Sequence, residues 1–274
     1  DAPIMGARGW GQKYEPITAM IYEAMYPGNH LDTNFGCICH REYPFIGASP
    51  DGIVVCGPRI GHLVEIKNVV SRELTDIPIE SHWIQCQVQM EVCNLPFCDY
   101  IQTSMKEIAF EEFVQEHVAE YKGVFILLQR NEEGYRPLDA AAAAATPSAP
   151  PSYKYVYMPF HLLDCDADLY EHVIQSWIHM QLQENAGYFI VNITYWKLEE
   201  MSCVVIPRNR GWFQAVLPKF RDLWSKVEHA RIHGYEHLAP KRRVPSRPNQ
   251  ELIYSFRVSL EAEAENEQEQ NNAI

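Results

Sequence analysis

Apolar side chains near the start of the chain recur at helical spacing: Ile17, Met20, Ile21, Ala24 and Met25 fall on one face. Pro16 lacks the N–H that a helix interior needs, so the helix proper is expected to open beside it. The pattern then shortens. Ile53-Val54-Val55 is a brief apolar run between the turn residues Gly47-Ala48-Ser49-Pro50-Asp51-Gly52 and the breakers Gly57, Pro58 and Gly61. Leu63-Val64-Glu65-Ile66-Lys67 follows as a second strand. Side chains alternate along a strand, so Glu65 and Lys67 share one face while Ile66 points into the core. Residues 82–94 fit two periods. Gln85, Gln89 and Val92 share a helical face, whereas Gln85, Gln87 and Gln89 at alternate positions suit a half-polar strand.

Farther along, Tyr100 to Met105 alternates as a strand, and Phe110, Phe113, Val114 and Val118 suggest an amphipathic helix. Gly123 to Leu128 reads as a buried strand. Ala140 to Ala145 and the Pro/Ser-rich stretch to Ser152 form a low-complexity linker over 138–152. Residues 153–160 form a strand. Asp164 or Asp166 is expected to cap a helix that runs to about Glu184. Tyr188 to Trp196 and Cys203 to Ile206 read as two separate strands. A last helix over 213–233 carries Val216, Leu217, Phe220, Leu223, Trp224 and Val227 as a core stripe. The reading is one α/β domain over 1–238, then a flexible tail over 239–274 that is basic at Lys241-Arg242-Arg243 and acidic from Glu261. The basic run suits a DNA contact, a nuclear localisation signal or a plain solvated linker.

Composition changes this picture modestly. A chain of 274 residues is long enough for a sizeable core. It has no apolar run of ~18 residues to cross a membrane. Its eight cysteines match no disulfide framework, which points to free buried thiols in a reducing intracellular compartment. Cys37-x-Cys39-His40 lacks the second pair that a zinc site would need. A net charge of −13 is wrong for a protein that coats nucleic acid, so any DNA contact must be a local groove.

The chemistry concentrates in the two short strands. If they pair, Asp51, Glu65 and Lys67 converge at one end of a small sheet. Two carboxylates can hold a hard cation such as Mg2+, and an ammonium can orient or deprotonate a water. That equipment suits hydrolysis of a phosphodiester. Taken singly, Ser-Pro-Asp-Gly is an ordinary turn and Glu-x-Lys an ordinary solvated strand face.

Together, Pro50-Asp51 and Glu65-x-Lys67 resemble the Pro-Asp…Glu-x-Lys pattern of the PD-(D/E)XK nuclease superfamily. The wider context is similar to its lambda-type exonuclease branch, the YqaJ-like viral recombinases. Trp10-Gly11…Glu15…Tyr22 looks like that family's Trp-Gly-x-x-x-Glu segment, and His82-Trp83-Ile84-Gln85-Cys86-Gln87…Met90 like its aromatic and Gln-x-Gln-x-x-Met. Asn68-Val69 departs from the Cys-Pro that often follows Glu-x-Lys there.

The resemblance implies a restriction-endonuclease-like core, a central mixed sheet flanked by helices, with residues 104–185 as a large insertion. It makes residues 82–94 a helix. It implies that Glu15, Asp51, Glu65 and the Ile66 carbonyl hold Mg2+, or Mn2+ in its place, and that Lys67 positions water. Ser49 and Gln85 would contact the scissile or terminal phosphate, and Arg72 and Gln87 the DNA. The implied activity is 5′-to-3′ digestion of one strand from the ends of linear duplex DNA. That leaves a single-stranded tail for recombination in a phage or large DNA virus. The implied partners are double-stranded DNA ends, a single-strand annealing protein and further copies of the chain, with no membrane. The compartment would be the host cytoplasm, a viral replication site or the nucleus. A PD-(D/E)XK endonuclease or repair nuclease, and a non-catalytic interaction scaffold, stand as alternatives.

Overall fold

Val64 and Ile66 leave one side of strand β5 (His62–Val69) and Leu63 the other, and each side meets a different helix. The Val64 side packs with Tyr22 of helix α1 (Gly6–Met25), together with Leu31, Val54 and Ile101. The Leu63 side packs against Cys86 and Met90 of helix α2 (Glu80–Cys93). Strand periodicity thus builds a layered structure, with each fully buried large side chain worth roughly 1.5–3 kcal/mol of apolar transfer. The computed structural model describes residues 6–71, 73–131, 152–235 and 238. The linker stretch 138–151, the tail beyond 238 and Arg72 lie outside the described residues.

The remaining strands are β1 (His30–Asp32), β2 (Ile38–Cys39), β3 (Gly47–Ala48), β4 (Gly52–Cys56), β6 (Phe97–Ile108), β7 (Lys122–Arg130), β8 (Tyr153–Tyr157) and β9 (Tyr188–Pro207). With β5, six of these form a seven-stranded mixed sheet in the order β1-β4-β5-β6-β9-β7-β8, and β2 pairs with β3 separately. β5 and β6 run parallel, which needs a crossover, and α2 supplies it. The α/β class and the mixed sheet flanked by helices are as expected.

The stretch read as an insertion continues the sheet, with β7 and β8 extending it beyond β9. Val124, Ile126 and Leu128 of β7 face helices α3 (Phe110–Gln115) and α4 (Tyr170–Glu184), while Phe125 faces Tyr14 and Ile17 of α1. The described residues up to Arg221 belong to one compact unit and those from Asp222 to a second. The division falls within helix α5 (Arg210–His233). Among the described residues no helix is long and apolar enough to cross a membrane.

Several expectations need correction. Pro16 sits inside α1, not at its start. It gives no N–H to the Gln12 carbonyl, but the buried Tyr14, Ile17 and Ile21 around it hold the helix on the sheet. The two strands expected over 188–206 are one continuous β9, because β6 pairs with it on one edge and β7 on the other. Neither Asp164 nor Asp166 caps α4. They flank two short 3-10 turns, and α4 opens after Leu169 without a side-chain cap. Val118 is exposed beyond the end of α3. Along α5 only Phe213 and Leu217 are buried, and Leu223 is exposed. The cysteines are free, yet Cys37, Cys39 and Cys56 are exposed rather than buried.

Candidate active site

Strand register brings the two carboxylates together. β4 and β5 pair antiparallel, with Gly52 opposite Val64 and Ile53 opposite Leu63. Continuing one step sets Asp51 abreast of Glu65. Gly52 is needed there because a Cβ would lie 2.6 Å from Leu31 Cδ1 of β1. Asp51 Oδ2 accepts the Ile66 backbone N–H at 2.7 Å, which ties the turn to β5. Glu65 is fully buried. One of its oxygens contacts the Lys67 ammonium, and the other accepts from Gln89 Nε2 at 2.8 Å.

Glu15 comes from α1, half-buried, and is placed by Asn68 of β5. Asn68 donates to the Gly11 carbonyl at 3.0 Å and accepts from Thr18 Oγ1 at 2.7 Å, which brackets Glu15 by one turn on each side. Thr103 of β6 also donates to Asn68, at 2.8 Å. Glu15, Asp51, Ile66, Lys67 and Asn68 line one open cleft of about 510 Å³, with Arg8, Gln12 and His82 on its walls.

The charges in this cleft oppose one another. Burial, and then the Glu65 charge, push the Asp51 carboxyl up to about 7, against the Ile66 N–H and Lys67. Burial and Glu65 also raise Glu15. Burial works to lower Lys67, but the Glu65 charge and hydrogen bond outweigh it, and the ammonium is held above its ordinary value.

Crowded carboxylates with raised pKa values are what a bound cation relieves. Three carboxylates and a backbone carbonyl are hard oxygen donors, so the residues fit Mg2+ or Mn2+ by donor chemistry. Among the described residues no three acidic, histidine or cysteine side chains stand gathered as a ready ligand set. Glu65 is engaged with Lys67 and Gln89, and Asp51 with Ile66 N–H.

The other expected site residues divide. Ser49 is exposed in the turn, and its carbonyl accepts from Gln89 Nε2 at 3.3 Å. Gln85 is half-buried one turn before Gln89 and is not among the residues that line the cleft. Gln87, expected to contact DNA, is 1% exposed. Its amide donates to the Pro207 carbonyl at 3.0 Å and accepts from Asn209 N–H at 2.6 Å. Its side chain therefore joins α2 to the segment that leads into α5 and is not at the surface. His40 is also a satisfied structural residue, accepting the Glu42 and Tyr43 N–H groups on Nδ1.

Sequence reasoning missed Gln89, Asn68, Arg8 and His82. For Gln89 the available signal was its place one helical turn after Gln85. For Asn68 it was the departure from Cys-Pro. His82 heads the motif stretch but is given no role by it, and Arg8 carries no motif.

Residues 5–96 match the family model described as the YqaJ-like viral recombinase domain. The chain is 27% identical over 251 residues, 82% of its length, to an uncharacterized protein of Acanthamoeba polyphaga mimivirus, and spans 44% of that relative. Among solved structures it is similar to an alkaline exonuclease (LHK-Exo) from Laribacter hongkongensis. The identity is 28% and the TM-score 0.31, covering 37% of this chain and 52% of that one. With LHK-Exo in complex with dAMP the identity is 17% and the TM-score 0.31, covering 67% and 76%. The matched residues 5–96 carry Glu15, Asp51, Glu65, Lys67 and the three glutamines of α2, so the part of the chain similar to the YqaJ-like viral recombinase domain is the part that builds the cleft.

Proposed function

We propose that this chain is a metal-dependent deoxyribonuclease that digests linear duplex DNA from its ends, 5′ to 3′, and leaves single-stranded tails for recombination in a viral setting. The observation that carries the reading is the meeting of Asp51, Lys67 and Glu15 in one open cleft, with Glu65 abreast of Asp51 behind it. The match of residues 5–96 to a viral recombinase family supports it. The mimivirus relative supports the viral setting, in the interior of a host cell.

Asp51, Glu65, Glu15 and the Ile66 carbonyl would hold Mg2+ or Mn2+. When bound, such a cation neutralises phosphate charge and makes a water more acidic. Lys67, kept charged by Glu65, is suited to orient a water or a phosphate oxygen rather than to take up a proton. Asp51, with its pKa near neutrality, gains a proton readily if the cation leaves. Ser49, exposed in the turn, and Gln85, half-buried on α2, are the candidates for phosphate contact. Arg72 is a further candidate for the DNA backbone. A single-strand annealing protein is the partner that would use the tails. Self-assembly around the duplex is the reading to check by solution mass.

The test is digestion of linear duplex and relaxed closed circles side by side, with each 5′ or 3′ end labelled in turn. Loss of 5′-end label from linear duplex, with circles intact, is the expected result. Rapid linearisation of circles, abolished by Asp51→Asn, would make the protein an endonuclease of the same superfamily. No hydrolysis of either DNA in Mg2+ or Mn2+ would favour the scaffold reading.

A further inference from the structure

Three glutamines on α2 differ sharply in what they touch, and the one closest to the chemistry is not the one that the family pattern singles out. Gln89 is 3% exposed. Its Nε2 donates to Glu65 Oε2 at 2.8 Å and, more weakly, to the Ser49 carbonyl at 3.3 Å. Ser49 belongs to the turn that carries Asp51, and Glu65 belongs to β5. One amide therefore bridges the two backbone segments that supply the paired carboxylates.

Which way the amide faces follows from its neighbours. The flipped orientation would set Oε1 against a carboxylate oxygen and a carbonyl oxygen, neither of which can donate. The observed orientation leaves Gln89 Oε1 buried with no protein donor in reach. An apolar side chain of similar length would fill this place in α2 without that penalty. The adjacent Cys86, Met90 and Val92 are apolar and buried. The bond to Glu65 is what an apolar side chain could not supply.

We propose that Gln89 is a positioning residue: its amide holds Glu65 Oε2 from behind, fixes the carboxylate plane, and thereby sets the affinity of the cleft for a divalent cation. Glu65 has two oxygens with two lone pairs each, so accepting one N–H on Oε2 leaves lone pairs free for a cation. Lys67 engages the other oxygen from the same strand face. Without Gln89, Glu65 would be free to rotate about its terminal torsions and follow Lys67. An amide that orients a ligand carboxylate is a neutral outer-shell partner, and loss of such partners typically costs about 10- to 100-fold in metal affinity. This inference rests on the nuclease reading above and deepens it.

The experiment uses the full chain and Mn2+ as probe, titrated calorimetrically without DNA. Gln89→Met keeps length and removes both donors, and Gln89→Leu serves if that variant does not fold. The expected result is Mn2+ binding weakened about 10- to 100-fold, with thermal stability in chelator equal to wild type or higher. The Mn2+ concentration for half-maximal digestion should rise by a similar factor, with turnover at saturating Mn2+ reduced less. Wild-type Mn2+ affinity in a variant that melts lower would make Gln89 an ordinary core amide and overturn the proposal. The behaviour of the wild type separates the two readings. If the wild type binds Mn2+ and cuts DNA while Gln89→Met does so equally well, only the Gln89 role falls. If the wild type neither binds Mn2+ nor cuts, the nuclease reading falls and this inference with it.

Discussion

Asn68 donates its side-chain amide to the Gly11 carbonyl at 3.0 Å, one helical turn ahead of Glu15. The same side chain accepts from Thr18 and Thr103, so a single residue next to Lys67 fastens α1 to β5 and β6. Asn68→Leu should remove these bonds and leave the Gly11 carbonyl and two hydroxyls with fewer partners. The expected loss is about 1–3 kcal/mol in urea unfolding. Turnover per folded molecule should also fall, because Glu15 loses its anchor. Wild-type turnover in a destabilised variant would limit Asn68 to a structural role.

Asp51 sets a pH dependence whose sign can be worked out. Its folded pKa of about 7 lies above the ordinary 3.8. A raised acid binds its proton more tightly in the folded state. Its contribution is fully present below about 3.8 and is lost as pH rises through about 7. The metal-free protein should therefore lose stability across that window. Asp51→Asn should flatten the loss and melt a few degrees higher than wild type at pH 8 in chelator, while its turnover drops by orders of magnitude. Thermal melts across pH, paired with nuclease assays, check both halves.

Divalent cation should reverse the same penalty. Mg2+ or Mn2+ at about 100 times its dissociation constant stabilises a one-site protein by roughly 2.7 kcal/mol. Wild-type protein at pH 8 should gain thermal stability with Mn2+. Asp51→Asn should gain almost none, and Glu15→Ala an intermediate amount. Chelation should abolish digestion, and restored Mn2+ should recover it. An equal gain in all three proteins would place the cation elsewhere.

Away from the cleft, Asp99 is fully buried on β6 and accepts from Arg59 Nη1 at 2.8 and 2.7 Å, with His62 Nδ1 at 3.1 Å and the Tyr22 hydroxyl also in contact. The Arg59 guanidinium lies 3.8 Å over the Tyr26 ring. This network joins α1, the β4–β5 hairpin and β6. Removing the acid leaves the partly exposed Arg59 guanidinium, His62 and the Tyr22 hydroxyl each short of a partner, so Asp99→Ala should lower stability by about 1–3 kcal/mol. A loss below about 1 kcal/mol in urea unfolding would mean that water replaces the carboxylate at little cost.

What the sequence by itself determined is local. Pro50-Asp51-Gly52 and Glu65-x-Lys67 are short segments whose geometry follows from turn chemistry and from the two-residue period of a strand. Their positions could be read without knowing the rest of the chain, whereas the α/β class needed the order of elements along it and the resemblance. Trp10, Gly11 and Glu15 could be read only as a resemblance. Longer-range partners decided the remainder. Pro16 breaks a lone helix, yet burial of Tyr14, Ile17 and Ile21 carries α1 through it. The polar run from Lys197 to Ser202 looks like a break between strands, yet ladders to β6 and β7 and the ion pairs of Lys197 with Glu112 and Glu116 keep β9 whole. Gln85, Gln87 and Gln89 are chemically identical; the helical period sets Gln85 and Gln89 apart from Gln87, but no local rule ranks those two. The seating of α2 on β5 put Gln89 on Glu65, buried Gln87 against Pro207 and Asn209, and left Gln85 half-buried, because a helix side chain's partner is set by the surface it packs on.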